Sequence, residues 1–176
     1  MNPLKHLDPV GLLMMLVFHV GWAKPVPVNM YKFKNPKRGM AITAAAGPLS
    51  NVLIAVIFMF IYGLAYIPLG RSLAGAYILT MLQLTVMISL GLAIFNIIPV
   101  PPLDGSKVLF SCISDQAYYK LMRYEKYGSL IMIILVATGI LGRPLSSAID
   151  FLYKSFIPIA QAGCNLVFNL FYRVSV

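Results

Sequence analysis

The sequence predicts an all-α integral membrane protein, a polytopic bundle of about four to five transmembrane helices with one irregular, proline-rich Asp-Gly segment. Of the 176 residues, 60% are hydrophobic and only 11% are charged, whereas an ordinary soluble domain carries about 25% charged residues. The mean hydropathy is +0.84, and the apolar runs contain few charges. These observations exclude an ordinary soluble domain and favour one membrane unit over residues 1–176.

Five apolar stretches are the candidate helices. Asp8 is suited to cap the first, with Pro9 at its first helical position, although this stretch is short for a crossing of about 20 residues. The second lies between Arg38 and Arg71 without an internal charge. The last contains Lys154 and either spans the membrane or lies at its interface. The predicted spans are residues 9–23, 39–67, 76–98 and 127–141, with 151–172 as the possible fifth.

The basic residues cluster in loops between predicted spans, and they give the chain a net charge of +9. Basic residues in short loops beside spans are typical of the cytoplasmic side, and they also favour anionic lipid. We therefore predict that loops 24–38 and 107–126 are cytoplasmic, in a multi-pass protein of the cell (inner) membrane. The expected partner of this charge is the lipid bilayer, not nucleic acid.

One carboxylate ends the third apolar run. No charged residue lies between Arg71 and Asp104, and three prolines precede Asp104 closely. Prolines remove backbone donors and stop a helix, and irregular backbone at membrane depth survives only when it is buried in protein or lines a wet cavity. We therefore expect Asp104 to face an enclosed site, although an Asp-Gly turn that caps the next segment explains the same residues.

The segment from Asn96 to Gly105 resembles the Asn-x-x-Pro-x-Pro-Pro-Leu-Asp-Gly motif of site-2 proteases, which are intramembrane zinc metalloproteases. Further blocks resemble other segments of that family, in family order: Asn2-Pro3-Leu4-Lys5-His6-Leu7-Asp8-Pro9, Gly21-Trp22-Ala23-Lys24-Pro25-Val26-Pro27-Val28-Asn29, Arg38-Gly39-Met40 and Ala46-Gly47-Pro48-Leu49-Ser50-Asn51. The resemblance covers about residues 2–109. It implies hydrolysis of peptide bonds in membrane proteins, zinc as cofactor, and Asp104 as the third zinc ligand.

The family's His-Glu-x-x-His motif, which implies two zinc ligands and the catalytic Glu, does not occur in the 176 residues. The only histidines are His6 and His19, and the only glutamate is Glu125. Catalytic zinc takes three protein ligands and a water, so Asp104 alone would hold it weakly. We therefore expect this polypeptide by itself to be inactive, with the catalytic helix missing through a misplaced start codon, a truncated gene or a degenerate paralogue.

Four other residues are candidates for binding substrate or an oxyanion. Asn51 either belongs to a small-residue packing segment or hydrogen-bonds a substrate backbone or an oxyanion. Asn96 either satisfies backbone groups that the prolines free or orients a ligand. Val26 and Val28 lie in a proline-bearing extended segment that could pair with substrate as an edge strand.

Two other functions stay open beside the protease. A non-catalytic paralogue would bind membrane segments or lipids without cutting them. A small transporter or channel would place Asp104 on an ion pathway. A pore requires further polar residues in the spans, and the predicted spans offer few such residues: Thr80, Gln83, Thr85 and Ser89.

Overall fold

The computed structural model describes residues 7–18, 32–100, 103–111, 113–114, 116–117 and 127–172. Within these ranges the regular elements are helices and no strand occurs, which confirms the predicted all-α class. The helices, in chain order, are α1 (Pro9–Phe18), α2 (Pro36–Leu69), α3 (Leu73–Ile97), α4 (Asp104–Ser111), α5 (Gly128–Ala137) and α6 (Gly142–Tyr172).

Side-chain caps determine where the first helices begin. The Asp8 carboxylate accepts a hydrogen bond from the Gly11 backbone N–H at 3.2 Å, which confirms the predicted cap of α1. At the start of α2, Asn35 accepts from the Arg38 N–H at 3.3 Å. At the start of α3, the Ser72 hydroxyl accepts from a backbone N–H at 3.0 Å. Each cap satisfies one of the donors that the first turn of a helix leaves without a partner.

Two helices, α2 and α3, are long and apolar enough to cross a membrane, with hydropathies of 2.5 and 2.2. They match the predicted spans 39–67 and 76–98 closely. Since α1 has only 10 described residues, the first predicted span, 9–23, extends beyond the residues that the structure describes. The count of four to five crossings therefore stays a prediction.

The chain bends sharply between α5 and α6. Gly139 has a φ of 66°, the left-handed conformation that commonly ends a helix, and the two helices meet at 84°. Taken together they pass the same length and apolarity test, so the described part holds up to three spans. The predicted stretch 127–141 is thus divided between α5 and a turn, and α6 begins well before residue 151. Its early start is possible because Pro144 lies in the first turn, where proline is tolerated.

The core lies where α2 meets α3 and α6. Its centre is the buried cluster of Ala55, Met59, Val86 and Leu90, against which side chains of α6 pack. A Cβ placed on Gly63 of α2 would lie 2.0 Å from a backbone oxygen of α6. Lipid chains are as apolar as these side chains, so close backbone approach through small residues is what stabilises helix pairs in a membrane.

Large apolar side chains cover the outside of α2 and α3. Leu53 is 59% exposed, Met81 68% and Ile88 61%. Exposing such an apolar surface to water would cost free energy, whereas the acyl chains of a bilayer would solvate it. The described helices therefore form part of a membrane protein.

Candidate functional site

The proline segment ends α3, as the sequence predicts. The last helical residue is Ile97, and Ile98 donates its N–H back to the Phe95 carbonyl at 3.1 Å. Pro99 has no N–H with which to continue the helix. After it, the Leu103 N–H donates a hydrogen bond to the Val100 carbonyl at 2.9 Å.

Asp104 is the first residue of α4, and its carboxylate faces α2. An ideal Cβ on Gly47 would lie 3.0 Å from Oδ2 of Asp104, so the carboxylate rests against the bare backbone of Gly47. Asp104 is half-buried. The contact joins two of the sequence blocks that carry the family resemblance, and the absence of a side chain at Gly47 gives the carboxylate its room.

Gly105 packs against the carboxyl end of α3. A Cβ at this position would lie 2.1 Å from the carbonyl oxygen of Ile97 and 2.9 Å from that of Asn96. No side chain larger than hydrogen fits there without a shift of the backbone. The close approach brings the two ends of the motif, Asn96 and Gly105, next to each other and sets where α4 begins.

An apolar cavity of about 510 Å³ adjoins this contact. Its walls come from α2, from the end of α3 and from α4, and they consist of Ala45, Pro48, Leu49, Val52, Ile97, Pro99, Gly105, Val108 and Leu109. Two of these lining residues, Gly105 and Pro48, are the chain neighbours of Asp104 and Gly47. The cavity therefore lies beside the contact between the Asp104 carboxylate and Gly47. A cavity with this lining accepts aliphatic groups and would leave a charged group without partners.

Further contacts hold α4 in place. The side-chain amine of Lys37, in the first turn of α2, donates a hydrogen bond to the backbone carbonyl of Ile113, beyond the end of α4. Ser106 is 3% exposed, and its hydroxyl donates to the Leu103 carbonyl at 2.7 Å. The first bond connects the segment after α4 to α2, and the second is a local bond in the first turn of α4.

The other predicted site residues divide into two groups. Asn51 lies on α2 four residues after Gly47, hence on the same face of the helix, and Asn96 lies in the last turn of α3. Both are half-buried. The other group, Val26 and Val28, lies outside the described residues, as do the two histidines and the glutamate of the chain, His6, His19 and Glu125.

The described donors do not make a zinc site by themselves. Catalytic zinc requires three protein ligands, and no group of three His, Cys, Asp or Glu residues comes together in the part of the chain that the structure describes. Asp104 offers one carboxylate. No hydrolytic step follows from that carboxylate alone.

Gly47 and Gly105 are the two site residues that sequence reasoning missed as individuals. Both lie inside sequence motifs that carry the family resemblance, the small-residue block before Asn51 and the Asp-Gly pair. Both glycines let another segment approach their backbone closely. For Gly105 the sequence signal is a glycine that shortly follows a helix ended by prolines.

Comparison with known proteins finds similarity to metalloproteases. The sequence profile of Peptidase family M50 matches residues 63–141. A relative in Bacillus subtilis (strain 168), named as a candidate zinc metalloprotease, is 32% identical over 177 residues, which cover 99% of this chain and 75% of the relative.

Two further relatives carry the same kind of name. One, in Methanocaldococcus jannaschii, is 38% identical over 57% of this chain and 49% of its own length. The other, in Mycolicibacterium smegmatis, is 26% identical over 81% of this chain and 55% of its own length. The chain thus spans about half the length of these two relatives. No solved structure matches it significantly.

Proposed function

This chain belongs to peptidase family M50, the site-2 proteases, and from that premise we propose that it forms the membrane part of a metallopeptidase that cuts membrane proteins. Zinc is the metal expected for the family, because the relatives are named as zinc metalloproteases. The substrate class, peptide bonds of membrane proteins, is part of the proposal. The observation that carries it is the placement of the Asp104 carboxylate against Gly47.

Asp104 is proposed to supply one oxygen ligand to the zinc ion. Support comes from its position at the first turn of α4, seven residues after the end of a helix that is long enough to cross a membrane. An acidic residue near such a helix is a functional candidate because its desolvation is costly. The remaining ligands and the catalytic base would come from a His-Glu-x-x-His segment, which the 176 residues do not contain.

Asn51 and Asn96 are proposed to bind the substrate backbone or an oxyanion beside this carboxylate. Asn51 shares a helix face with Gly47, which the Asp104 carboxylate touches. An amide side chain offers both donors and an acceptor, so it can pair with a peptide group that has left its helix. Val26 and Val28 stay candidates for pairing with an extended substrate strand.

The orientation in the membrane is also proposed. With loops 24–38 and 107–126 on the cytoplasmic side of the cell (inner) membrane, α2 runs outward and α3 returns. Asp104 then lies near the cytoplasmic face. Support comes from the basic residues that precede α2, of which Lys32 and Lys34 are exposed.

The apolar cavity beside Asp104 favours one alternative function. A cavity that accepts aliphatic groups could hold a membrane segment without cutting it, so a polypeptide without the catalytic segment would act as a binding protein. This alternative needs no zinc. Metal content and cleavage therefore distinguish the two functions.

The test begins with the DNA upstream of the Met1 codon. If an open frame encodes His-Glu-x-x-His, the extended chain and the 176-residue chain are expressed side by side, and zinc content and cleavage of a membrane substrate are measured. We expect zinc and cleavage only in the extended chain, and loss of both on Asp104→Asn. Cleavage by the 176-residue chain, or full activity of the Asp104→Asn variant, would contradict the proposal. An in-frame stop without that motif would favour the binding function.

A further inference from the structure

A stripe of polar side chains runs along the outer face of α6. Its members recur at intervals of three, four or seven residues, the spacing of one helix face, and all of them are exposed. Three members are charged: Arg143 in the first turn of α6, and Asp150 and Lys154, which lie one turn apart near the middle of the stripe. The polar stripe consists of Arg143, Ser147, Asp150, Lys154, Gln161 and Asn165.

The opposite face of α6 packs on the rest of the chain. Side chains such as Ile149, Leu152, Phe156 and Ala160 lie against the buried cluster of α2 and α3. The helix therefore uses its apolar face within its own bundle. The polar stripe points away from α2 and α3, toward whatever surrounds the described helices.

The charged pair lies at the depth of the two membrane-spanning helices. Below it, Ile149 comes within 3.4 Å of an ideal Cβ on Gly91, which precedes the end of α3 by six residues. Above it, Ala160 contacts Gly63, which precedes the end of α2 by six residues. Asp150 and Lys154 thus lie level with the apolar interior of both helices. Charges at that depth are costly in lipid and almost always face protein or water.

We propose that the polar stripe is the contact surface of a two-fold dimer of this chain in the membrane. Copies of one chain insert in the same orientation, so a dimer axis would stand along the membrane normal and the two α6 helices would run parallel. In a two-fold contact the same surface meets itself, and each contact occurs twice.

The two central charges of the stripe, Asp150 and Lys154, complement themselves under that symmetry. Asp150 and Lys154 are offset by about 6 Å along the helix, a distance that the flexible lysine side chain bridges. Asp150 of each copy then meets Lys154 of the other, so the dimer gains two ion pairs and leaves neither of these two central charges without a partner. Gln161 and Asn165 continue the same face with amide groups, which hydrogen-bond well between membrane helices.

Charge reversal in trans tests the proposal. Two differently tagged full-length chains are expressed in the same membranes, and capture of one by the other is measured. Asp150→Lys leaves two positive charges in the middle of the stripe, and Lys154→Asp leaves two negative ones. Each variant is expected to capture its own kind at least about tenfold less than the unchanged chain does, because like charges would face each other.

Co-expression of the two variants is the decisive step. We expect capture of Asp150→Lys by Lys154→Asp to return to the level of the unchanged chain, because opposite charges meet again across the axis. An ion pair confined within one helix predicts no recovery on mixing, and that result would overturn the proposal. Absence of capture between unchanged chains would overturn it too, since another segment or protein would then cover the stripe.

Disulfide crosslinking keeps the proposal testable if the charge variants fail to insert. In a background without Cys112 and Cys164, Ser147→Cys places a thiol on the stripe. Ser155→Cys makes the same chemical change on the same helix at an exposed position away from the stripe. We expect an oxidised dimer for Ser147→Cys and little for Ser155→Cys. Equal crosslinking of both, or none at Ser147→Cys, would contradict the proposed surface.

Discussion

Replacement of Gly105 by alanine is the sharpest test of how the Asp104 site is built. The added Cβ would lie 2.1 Å from the Ile97 carbonyl oxygen, so α4 has to move by roughly 1 Å away from the end of α3. The obstacle is backbone, which yields less readily than a side chain. Overpacking of this kind costs about 1–3 kcal/mol, against which the better helix propensity of alanine returns about 1 kcal/mol.

Because the obstacle is backbone, we take the upper end of the overpacking cost and subtract the gain in helix propensity. Gly105→Ala is then expected to lower the free energy of unfolding by about 2 kcal/mol. Gly142→Ala is the matched control, because nothing lies within 4 Å of a Cβ there. The measurements are reversible unfolding in mixed micelles and amide hydrogen exchange along α4, where protection should fall. If Gly105→Ala unfolds like Gly142→Ala and α4 keeps its protection, the close contact with α3 does not exist.

Three further outcomes are expected. Gly47→Val should push the Asp104 carboxylate away from α2 and reduce the zinc affinity of the extended chain at least about tenfold. The control Ala46→Val, at an exposed position, should leave the zinc affinity unchanged. Gly63→Leu should separate α2 from α6, at a cost of about 3 kcal/mol in micelle unfolding; unaltered stability would refute the backbone contact. Asp8→Ala should remove the cap of α1 at a cost of about 1 kcal/mol, seen as faster amide exchange in its first turn, while Asp8→Asn retains most of the protection.

The extents of α2 and α3 were predictable because the signals are local. Charge-free apolar runs determine which segments suit a bilayer, and Pro99 stops α3 through its own missing donor. The start of α6 was not predictable in the same way. The predicted fifth stretch begins at residue 151, yet α6 begins at Gly142, because Pro144 fits the first turn of a helix. In the structure a turn over residues 138–141, with left-handed backbone at Gly139, separates α5 from α6.

The sequence by itself determined the membrane class, the two long apolar helices, the cap by Asp8 and, through its motifs, the family. Each of these depends on composition or on neighbours along the chain. The contact of Asp104 with Gly47, the fit of Gly105 on Ile97 and the outward direction of the polar stripe were decided only by the tertiary structure. They join residues of different helices, and which residues meet depends on how α2, α3, α4 and α6 cross. Those crossings are set by packing between whole helix surfaces, which no local pattern of residues encodes.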